Sequence, residues 1–161
     1  MPPKLGEFKT NYDGAMFNEN DDAGIGIAVQ DSLGYVFAAM VEKIQKPHFV
    51  EVLEMMAARR AVNFVHEIGL HQIHFEGNLE IGIKALCNGD MLLSFLGHLA
   101  QDTIFLVSSL RSFSFSHVVR QGNAIAHALA QRARISFPLL VWMEFTPSDI
   151  DSIIAINFPT S

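Results

Sequence analysis

The sequence predicts an α/β domain in which a mixed, five-stranded sheet carries helices on its faces. In the first third of the chain, large and small residues alternate with the period of two that is typical of strands. After Pro47, apolar residues recur every three or four positions, as on one face of a helix. The two patterns then alternate in the order β-β-β-α-β-α-α-β-α. Strands followed by alternating helices and strands favour a mixed sheet covered by helices.

The first three strands are predicted to form two adjacent hairpins. They occupy Lys9–Ala15, Gly24–Val29 and about Tyr35–Val41, and turn-forming asparagine, aspartate and glycine residues separate them. In Gly24–Val29, large residues alternate with glycine and alanine, so one face of this strand allows another element to approach closely. The simplest arrangement is an antiparallel, three-stranded start.

The later elements follow from periodicity and from residues that break it. The first helix carries an apolar stripe from Leu53 to Ile68 and is predicted to end at Gly69. The remaining elements are a strand at His71–Phe75, helices near Leu79–Leu86 and Leu92–Leu110, a strand at Ser112–Val119, and a last helix from Gly122 to about Arg134. In the fourth of these five elements, Phe113, Phe115 and His117 alternate with serines, so we expect His117 to be buried.

Composition indicates a single folded domain. The chain has 161 residues, of which 50% are hydrophobic and 17% are charged, which disfavours intrinsic disorder. We expect one domain over residues 1–161, with its core at about 8–135. The apolar tail, 136–161, has no clean periodicity and is expected to pack on this core or to remain partly loose. The single Cys87 excludes an internal disulfide framework.

Charge and hydropathy narrow the classes of partner. The net charge of −6 argues against a protein that coats nucleic acid by bulk charge, so any such contact must be local. No apolar stretch reaches the roughly 18 residues of a membrane span. The first residues lack the apolar region of a signal peptide and the arginine-rich pattern of a transit peptide. We therefore expect no membrane contact and a location in the cytosol or the nucleus.

Four short motifs, together with the long hairpins, carry a family resemblance. They are an Asp-Gly-Ala strand at Asp13, a Glu-x-Met-Ala-Ala-Arg helix at Glu54, a Phe-Glu-Gly-Asn strand end at Asn78, and the closing helix Arg-Gln-Gly-Asn-Ala-Ile-Ala-His-Ala-Leu-Ala that contains His127. In this order, they make the chain resemble the ribonuclease H-like domain of plant reverse-transcriptase-like proteins, which are relatives of non-LTR retroelements. The resemblance covers almost the whole chain.

The resemblance implies a metal-dependent endonuclease that acts on the RNA strand of RNA–DNA hybrids. Active members of the family use four carboxylates to hold two Mg²⁺ ions, because hard cations beside a polyanion need several negatively charged oxygen ligands. By this resemblance, Asp13 and Glu54 match the first and second carboxylates and would bind Mg²⁺ or Mn²⁺. Asn78 stands at the third position, and His127 stands at the fourth.

The two departures predict a weakened or inactive site. Asn78 keeps a carbonyl oxygen but lacks the negative charge of aspartate. Imidazole, as in His127, suits Zn²⁺ and other transition metals better than Mg²⁺. With two carboxylates instead of four, the positions offer a formal charge of −2 instead of −4.

Each candidate residue also has a purely structural interpretation. Asn78 lies between a strand and a helix, where asparagine is a good N-cap. Asp13 can be a turn residue before Gly14, Glu54 can be a solvated residue at the helix edge, and His127 can be an ordinary helix histidine.

Two hypotheses therefore remain open. The first is a metal-dependent nuclease that acts on RNA–DNA hybrids, with Asp13, Glu54, Asn78 and His127 at its centre. The second is a non-catalytic descendant of a retroelement protein that binds nucleic acid or another protein. Further candidate nucleic-acid contacts are Gly14, Asn18, Arg120 and Asn123.

Overall fold

The computed structural model describes residues 6–77, 91–118, 123–135 and 138–143, and of residues 91–95 it describes the backbone alone. The strands are β1 (Phe8–Met16), β2 (Asp22–Gln30), β3 (Val36–Gln45), β4 (Gln72–Gly77), β5 (Ser112–His117) and β6 (Leu139–Met143). The helices are α1 (Val50–Glu67), α2 (Met91–Val107) and α3 (Ala124–Arg132), and a 3-10 turn at Ala133–Ile135 follows α3. The helix expected near Leu79–Leu86 lies outside the described residues.

The sheet is mixed, as predicted, and has the strand order β5-β4-β1-β2-β3-β6. The hairpins β1–β2 and β2–β3 are antiparallel, and β4 pairs in parallel with both β1 and β5. The sheet has six strands instead of the expected five, because the tail contributes β6, which pairs antiparallel with β3. All five residues of β6 are apolar, so its sequence shows no alternation although its burial does alternate.

Helices α1 and α2 cover one face of the sheet. The core on this side contains large side chains from β1, α1 and β4, including the fully buried Tyr12, Leu53, Phe64 and Phe75. A smaller cluster joins α1 to α2 through Met55 and neighbouring residues. Burying such apolar side chains supplies most of the stability of the sheet.

Helix α3 lies on the opposite face, close to β2. A Cβ atom at Gly26 would overlap backbone atoms of Ala126 and Ala130, and one at Gly24 would overlap the carbonyl oxygen of Ala130. The absence of side chains at these two positions thus lets the helix backbone rest on the strand. The close approach predicted for one face of this strand is confirmed.

The end of α1 agrees with the sequence prediction. Gly69 has a positive φ of 79°, a left-handed conformation that glycine adopts without steric cost. The Leu70 N–H donates to the Val65 carbonyl at 2.9 Å, which satisfies one of the last carbonyls of the helix.

Strand β5 is less buried than its sequence predicts. Phe115 stacks on Phe75 with ring centroids 4.7 Å apart, but Phe113 is 47% exposed. His117 is exposed, so the prediction that it is buried was wrong. His117 is the last residue of an edge strand, and its partner on β4 is Gly77, which has no side chain to cover it.

None of the helices in the described part of the chain is long and apolar enough to cross a membrane.

Candidate active site

Polar side chains from several elements line a single cleft of about 540 Å³ at the carboxyl ends of β1 and β5. Its lining residues are Asp13, Gly14, Ala15, Met16, Val50, Glu54, His117, Val118, Asn123, His127 and Gln131. In the described ranges, this lining contains two carboxylates and two histidines but no lysine or arginine. In composition, the described lining therefore resembles a catalytic or metal-binding site more than a basic groove for nucleic acid.

Asp13 and His127 contact each other across the cleft. Asp13 lies in β1 and His127 in α3, and the two side chains are hydrogen-bonded with an Nδ1 to Oδ2 distance of 2.8 Å. Because a carboxylate only accepts, the His127 Nδ1–H is the donor. The two side chains are 19% and 30% exposed, so the pair is reachable from solvent.

Glu54 reaches the cleft from the second turn of α1. Burial, and then the nearby negative charge of Asp13, raise the pKa of Glu54 from 4.5 to about 8. Burial, and then the charge of Glu54, raise the pKa of Tyr12 in turn. Near neutral pH, Glu54 therefore carries a proton for much of the time, and a cation placed between the two carboxyl groups would favour its release.

Asn123 lines the cleft and joins the start of α3 to β1. This residue precedes α3 and is buried, and its Nδ2 donates to the Tyr12 carbonyl at 2.8 Å. Its Oδ1 accepts a 3.0 Å hydrogen bond from Asn11 Nδ2. Asn11 Nδ2 also donates to Glu76 Oε2 at 3.2 Å. Buried amides joined in this way connect β1, β4 and α3 next to the cleft.

The structure brings together three of the four residues singled out as a metal site. Asp13, Glu54 and His127 line the same cleft, and the third position, Asn78, lies outside the described residues.

The candidate nucleic-acid contacts are more scattered. Gly14 and Asn123 lie in the cleft, although the amide of Asn123 is engaged with β1. Asn18 is exposed in the turn after β1 and does not line the cleft. Arg120 lies outside the described residues.

Two further residues at the site were not found from the sequence. His117 lines the cleft, although strand alternation assigned it to the core. Asn11 was passed over because a polar residue in a strand carries no recognisable motif. A signal for it did exist: asparagine is disfavoured inside strands, so its presence two residues before Asp13 calls for a hydrogen-bonded partner.

The donor set fits a weakly held divalent cation. Asp13 and Glu54 supply carboxylate oxygens to one cleft. Burial, and then the charge of Asp13, raise the pKa of Glu54, and a cation would offset both effects. However, no group of three histidine, cysteine, aspartate or glutamate side chains within the described ranges is placed to hold a metal ion. Two acidic ligands offset less of the cation's charge than the four carboxylates of active family members would, so the cation would be held less tightly.

Comparison with known proteins identifies the family of the chain. The model of the reverse transcriptase-like family matches residues 11–133, a range that contains Asp13, Glu54 and His127. The chain belongs to the reverse transcriptase-like family. The site of this family member thus lies within the segment that defines the family. No curated protein matches the chain.

Solved structures show that this reverse transcriptase-like chain has a ribonuclease H-like fold. RNase H1 from the archaeon Halobacterium salinarum superposes with a TM-score of 0.69 at 20% identity, over 80% of this chain and 97% of that one. The N-terminal RNase H domain of a Mycobacterium tuberculosis protein gives 0.65 at 18% identity, over 79% and 92%. LC11-RNase H1, solved in complex with an RNA/DNA hybrid, gives 0.61 at 21% identity, over 78% and 95%.

Proposed function

We propose that the chain is a weakened, metal-dependent ribonuclease that binds RNA–DNA hybrids at this cleft and cleaves their RNA strand slowly. The observation that carries the proposal is the convergence of Asp13, Glu54 and His127, which are far apart in the sequence, on one solvent-accessible cleft. The ribonuclease H-like fold, and the hybrid bound by LC11-RNase H1, support the choice of substrate.

Asp13 and Glu54 would hold the divalent cation. When bound, such a cation would activate a water molecule and stabilise the leaving oxygen of the phosphodiester. Asp13 presents its carboxylate in an orientation fixed by the Nδ1–H of His127. Glu54 has to lose its proton to become a ligand, so its raised pKa predicts that cation binding strengthens as pH rises toward and above 8.

His117 would face the substrate. It is exposed and lines the cleft, so its ring is able to donate a hydrogen bond to a phosphate oxygen. The described lining contains no lysine or arginine, so phosphate contacts at the cleft would come from this histidine, from the Gln131 amide and from backbone N–H groups. Few cationic contacts predict modest affinity for the hybrid and a shallow dependence on salt.

The slow cleavage that we propose follows from the reduced negative charge of the site. With His127 at the fourth position and Asn78 at the third, the site has two carboxylates instead of four. Mg²⁺ demands near-ideal octahedral geometry and gives up its waters reluctantly, so a site with only two carboxyl ligands should favour Mn²⁺. Cleavage should therefore be faster with Mn²⁺ than with Mg²⁺.

A cleavage assay tests this proposal. Purified protein is incubated with a labelled RNA–DNA hybrid and millimolar Mg²⁺ or Mn²⁺, and the RNA products are resolved on a gel. We expect slow, Mn²⁺-favoured cleavage that Asp13→Asn abolishes and that Asp102→Asn, on the exposed surface of α2, leaves unchanged. Equal cleavage by the unmodified protein and by Asp13→Asn would contradict the proposal.

The Asp13–His127 hydrogen bond favours a second candidate, a non-catalytic module that binds the hybrid. A histidine that engages the Asp13 carboxylate competes with a cation for the same oxygen. This candidate predicts no cleavage with either metal, together with binding of the hybrid that weakens as salt rises. If the unmodified protein neither cleaves nor binds the hybrid, both candidates fail and a protein partner is indicated.

A further inference from the structure

Two parallel cross-links join β1 to α3. Along β1, Asn11 and Asp13 are separated by two residues, a rise of roughly 6.6 Å. Asn123 and His127 are four positions apart, and four residues of helix advance by about 6 Å. The two spacings match, so Asn11 meets Asn123 at 3.0 Å and Asp13 meets His127 at 2.8 Å. The first contact is buried, whereas the second faces the cleft.

Asn123 directs its amide at β1 instead of at its own helix. Asparagine at the start of a helix usually accepts a hydrogen bond from the N–H groups of the first turn. Here Asn123 makes no capping hydrogen bond from its side chain, although it is the N-cap of α3. Its two polar atoms engage the Tyr12 carbonyl and Asn11 Nδ2. A role confined to helix capping therefore does not explain this residue.

The contact with Tyr12 lies where two strands part. The parallel pairing of β1 with β4 ends at Asn11 and Glu76. Beyond this point the Tyr12 carbonyl no longer faces a paired residue of β4, and Asn123 Nδ2 supplies a donor to it. The amide of Asn123 thus satisfies the β1 backbone at Tyr12, the residue before Asp13.

Asn11 connects the same arrangement to β4. Its Nδ2 donates to Glu76 Oε2, and the Glu76 carboxylate also lies 3.9 Å from Lys9 Nζ and 3.5 Å from His74 Nε2. Glu76 is buried and lies two residues before Asn78. Loss of the Asn11 amide would leave a buried carboxylate with one donor fewer, which is costly in a dry environment.

We propose that Asn11 and Asn123 are positioning residues, whose buried amide contact fixes the first turn of α3 on β1 and thereby places His127 against Asp13. The consequence for catalysis rests on the function proposed above, but the geometric claim does not. Neither residue needs to touch substrate or cation. Since a ligand or substrate group must be held within about 0.5 Å, a small shift of α3 would suffice to disturb the site.

Nuclear magnetic resonance of the His127 ring tests the geometric claim. The ¹⁵N shift of Nδ1, read through the ring carbon protons, reports whether this nitrogen donates to Asp13, and a His127→Ala variant assigns the signal. We expect Asn11→Ala and Asn123→Ala to shift the Nδ1 signal toward the value of an exposed histidine. The matched control is Gln30→Ala, which removes a buried amide from β2 outside the cleft lining and should leave the signal in place.

A milder variant guards against loss of folding. In Asn123→Ser, the hydroxyl is too short to bridge both Tyr12 and Asn11 but removes little volume, so the domain should stay folded while the His127 signal shifts partway. An unchanged Nδ1 signal in folded Asn123→Ser and Asn11→Ala would overturn the proposal. So would an equal shift in Gln30→Ala, because the effect would then follow from general destabilisation.

Activity gives a second, separate measurement. If the unmodified protein cleaves the hybrid, Asn11→Ala should lower kcat by at least about 10-fold, the loss typical when an outer-shell partner is removed. Gln30→Ala should lower it by less than about 2-fold, as expected for a residue that touches neither the site nor its supports. If the unmodified protein does not cleave the hybrid, the Nδ1 signal of His127 still shows whether Asn11 and Asn123 position that ring.

Discussion

At β1 and β4, the two faces of the sheet differ in what they bury. On the face covered by α1 and α2, β1 and β4 bury Tyr12 and Phe75 among aliphatic side chains. On the opposite face, the same two strands bury Asn11 and Glu76, which are 4% and 8% exposed and hydrogen-bonded to each other. One strand thus contributes to an apolar core and to a polar network at alternate residues.

This difference separates stability from function. The apolar face stabilises the domain in proportion to the area removed from water. The buried polar network of Asn11, Glu76 and Asn123 on the opposite face contributes little net stability, because each buried hydrogen bond mainly offsets the cost of removing its groups from water. This network does, however, join the start of α3 to β1, and the candidate site lies next to it. Three substitutions test this division, beginning with the largest expected effect.

Truncation of the apolar face should be the most damaging. Phe64 of α1 is 1% exposed, and Phe64→Ala should lower the free energy of unfolding by about 3–5 kcal/mol through lost burial and a residual cavity. Urea denaturation followed by circular dichroism measures the change. Truncation of Phe105, which is 77% exposed on α2, is the control and should cost less than about 0.5 kcal/mol. Equal losses for the two variants would mean that the apolar face does not dominate stability.

A methyl group on the opposite face should have an intermediate effect. In Gly26→Ala, the new Cβ would overlap backbone atoms of α3, which cannot rotate away as a side chain can. We expect a loss of about 1–3 kcal/mol and a displaced α3. Because α3 carries His127, the Nδ1 resonance of the His127 ring should shift as well. Gly6→Ala is the control: with no atom within 4 Å, it adds only the cost of a positive φ of 83°, about 1 kcal/mol, and leaves His127 in place. A larger loss for Gly6→Ala would contradict the close-packing explanation.

Neutralising a site carboxyl should stabilise the protein. The pKa of Glu54 is raised to about 8, so unfolding releases this carboxyl to its ordinary acidity and becomes more favourable as pH rises from 4.5 toward 8. Glu54→Gln removes the penalty and should raise the free energy of unfolding by roughly 1–3 kcal/mol at pH 8, with no gain below about pH 4.5. Denaturation at several pH values measures this difference.

The control for this prediction is Glu51→Gln, one turn earlier in α1. It should change stability by less than about 0.5 kcal/mol, the scale of a carboxylate near a helix N-terminus, without a gain that grows toward pH 8. If Glu54→Gln and unmodified protein gave parallel stability curves across this range, burial and the Asp13 charge would not govern Glu54.

Most of the fold was predictable because periodicity reports burial. Strands with one apolar face and helices with an apolar stripe left clear patterns, and the glycines at positions 24, 26 and 69 indicated a close approach and a helix end that the structure confirms. Strand β6 was missed because its five residues are uniformly apolar, and half-burial at the edge of a sheet does not require alternation. The wrong prediction for His117 has a similar origin, because alternation specifies a face of the strand but not whether anything covers it.

The site was predictable only as far as motifs mark it. Asp13, Glu54 and His127 stand in recognisable motifs, and the structure brings them to one cleft. Asn11 stands in none, and its importance comes from a contact with Asn123 that joins residues 112 positions apart. Contacts of this kind depend on the register between a strand and a distant helix, which no local pattern records.

The pairing of β6 with β3 has a consequence for biosynthesis. Strand β3 forms early in the chain, but its outer edge is closed by residues made only after α3 has been synthesised. Until then, the emerging polypeptide carries an open row of amide and carbonyl groups beside apolar side chains, the arrangement that invites pairing with another chain. Safe folding on the ribosome therefore depends on the arrival of the final strand, and chaperone demand should be greatest just before it appears.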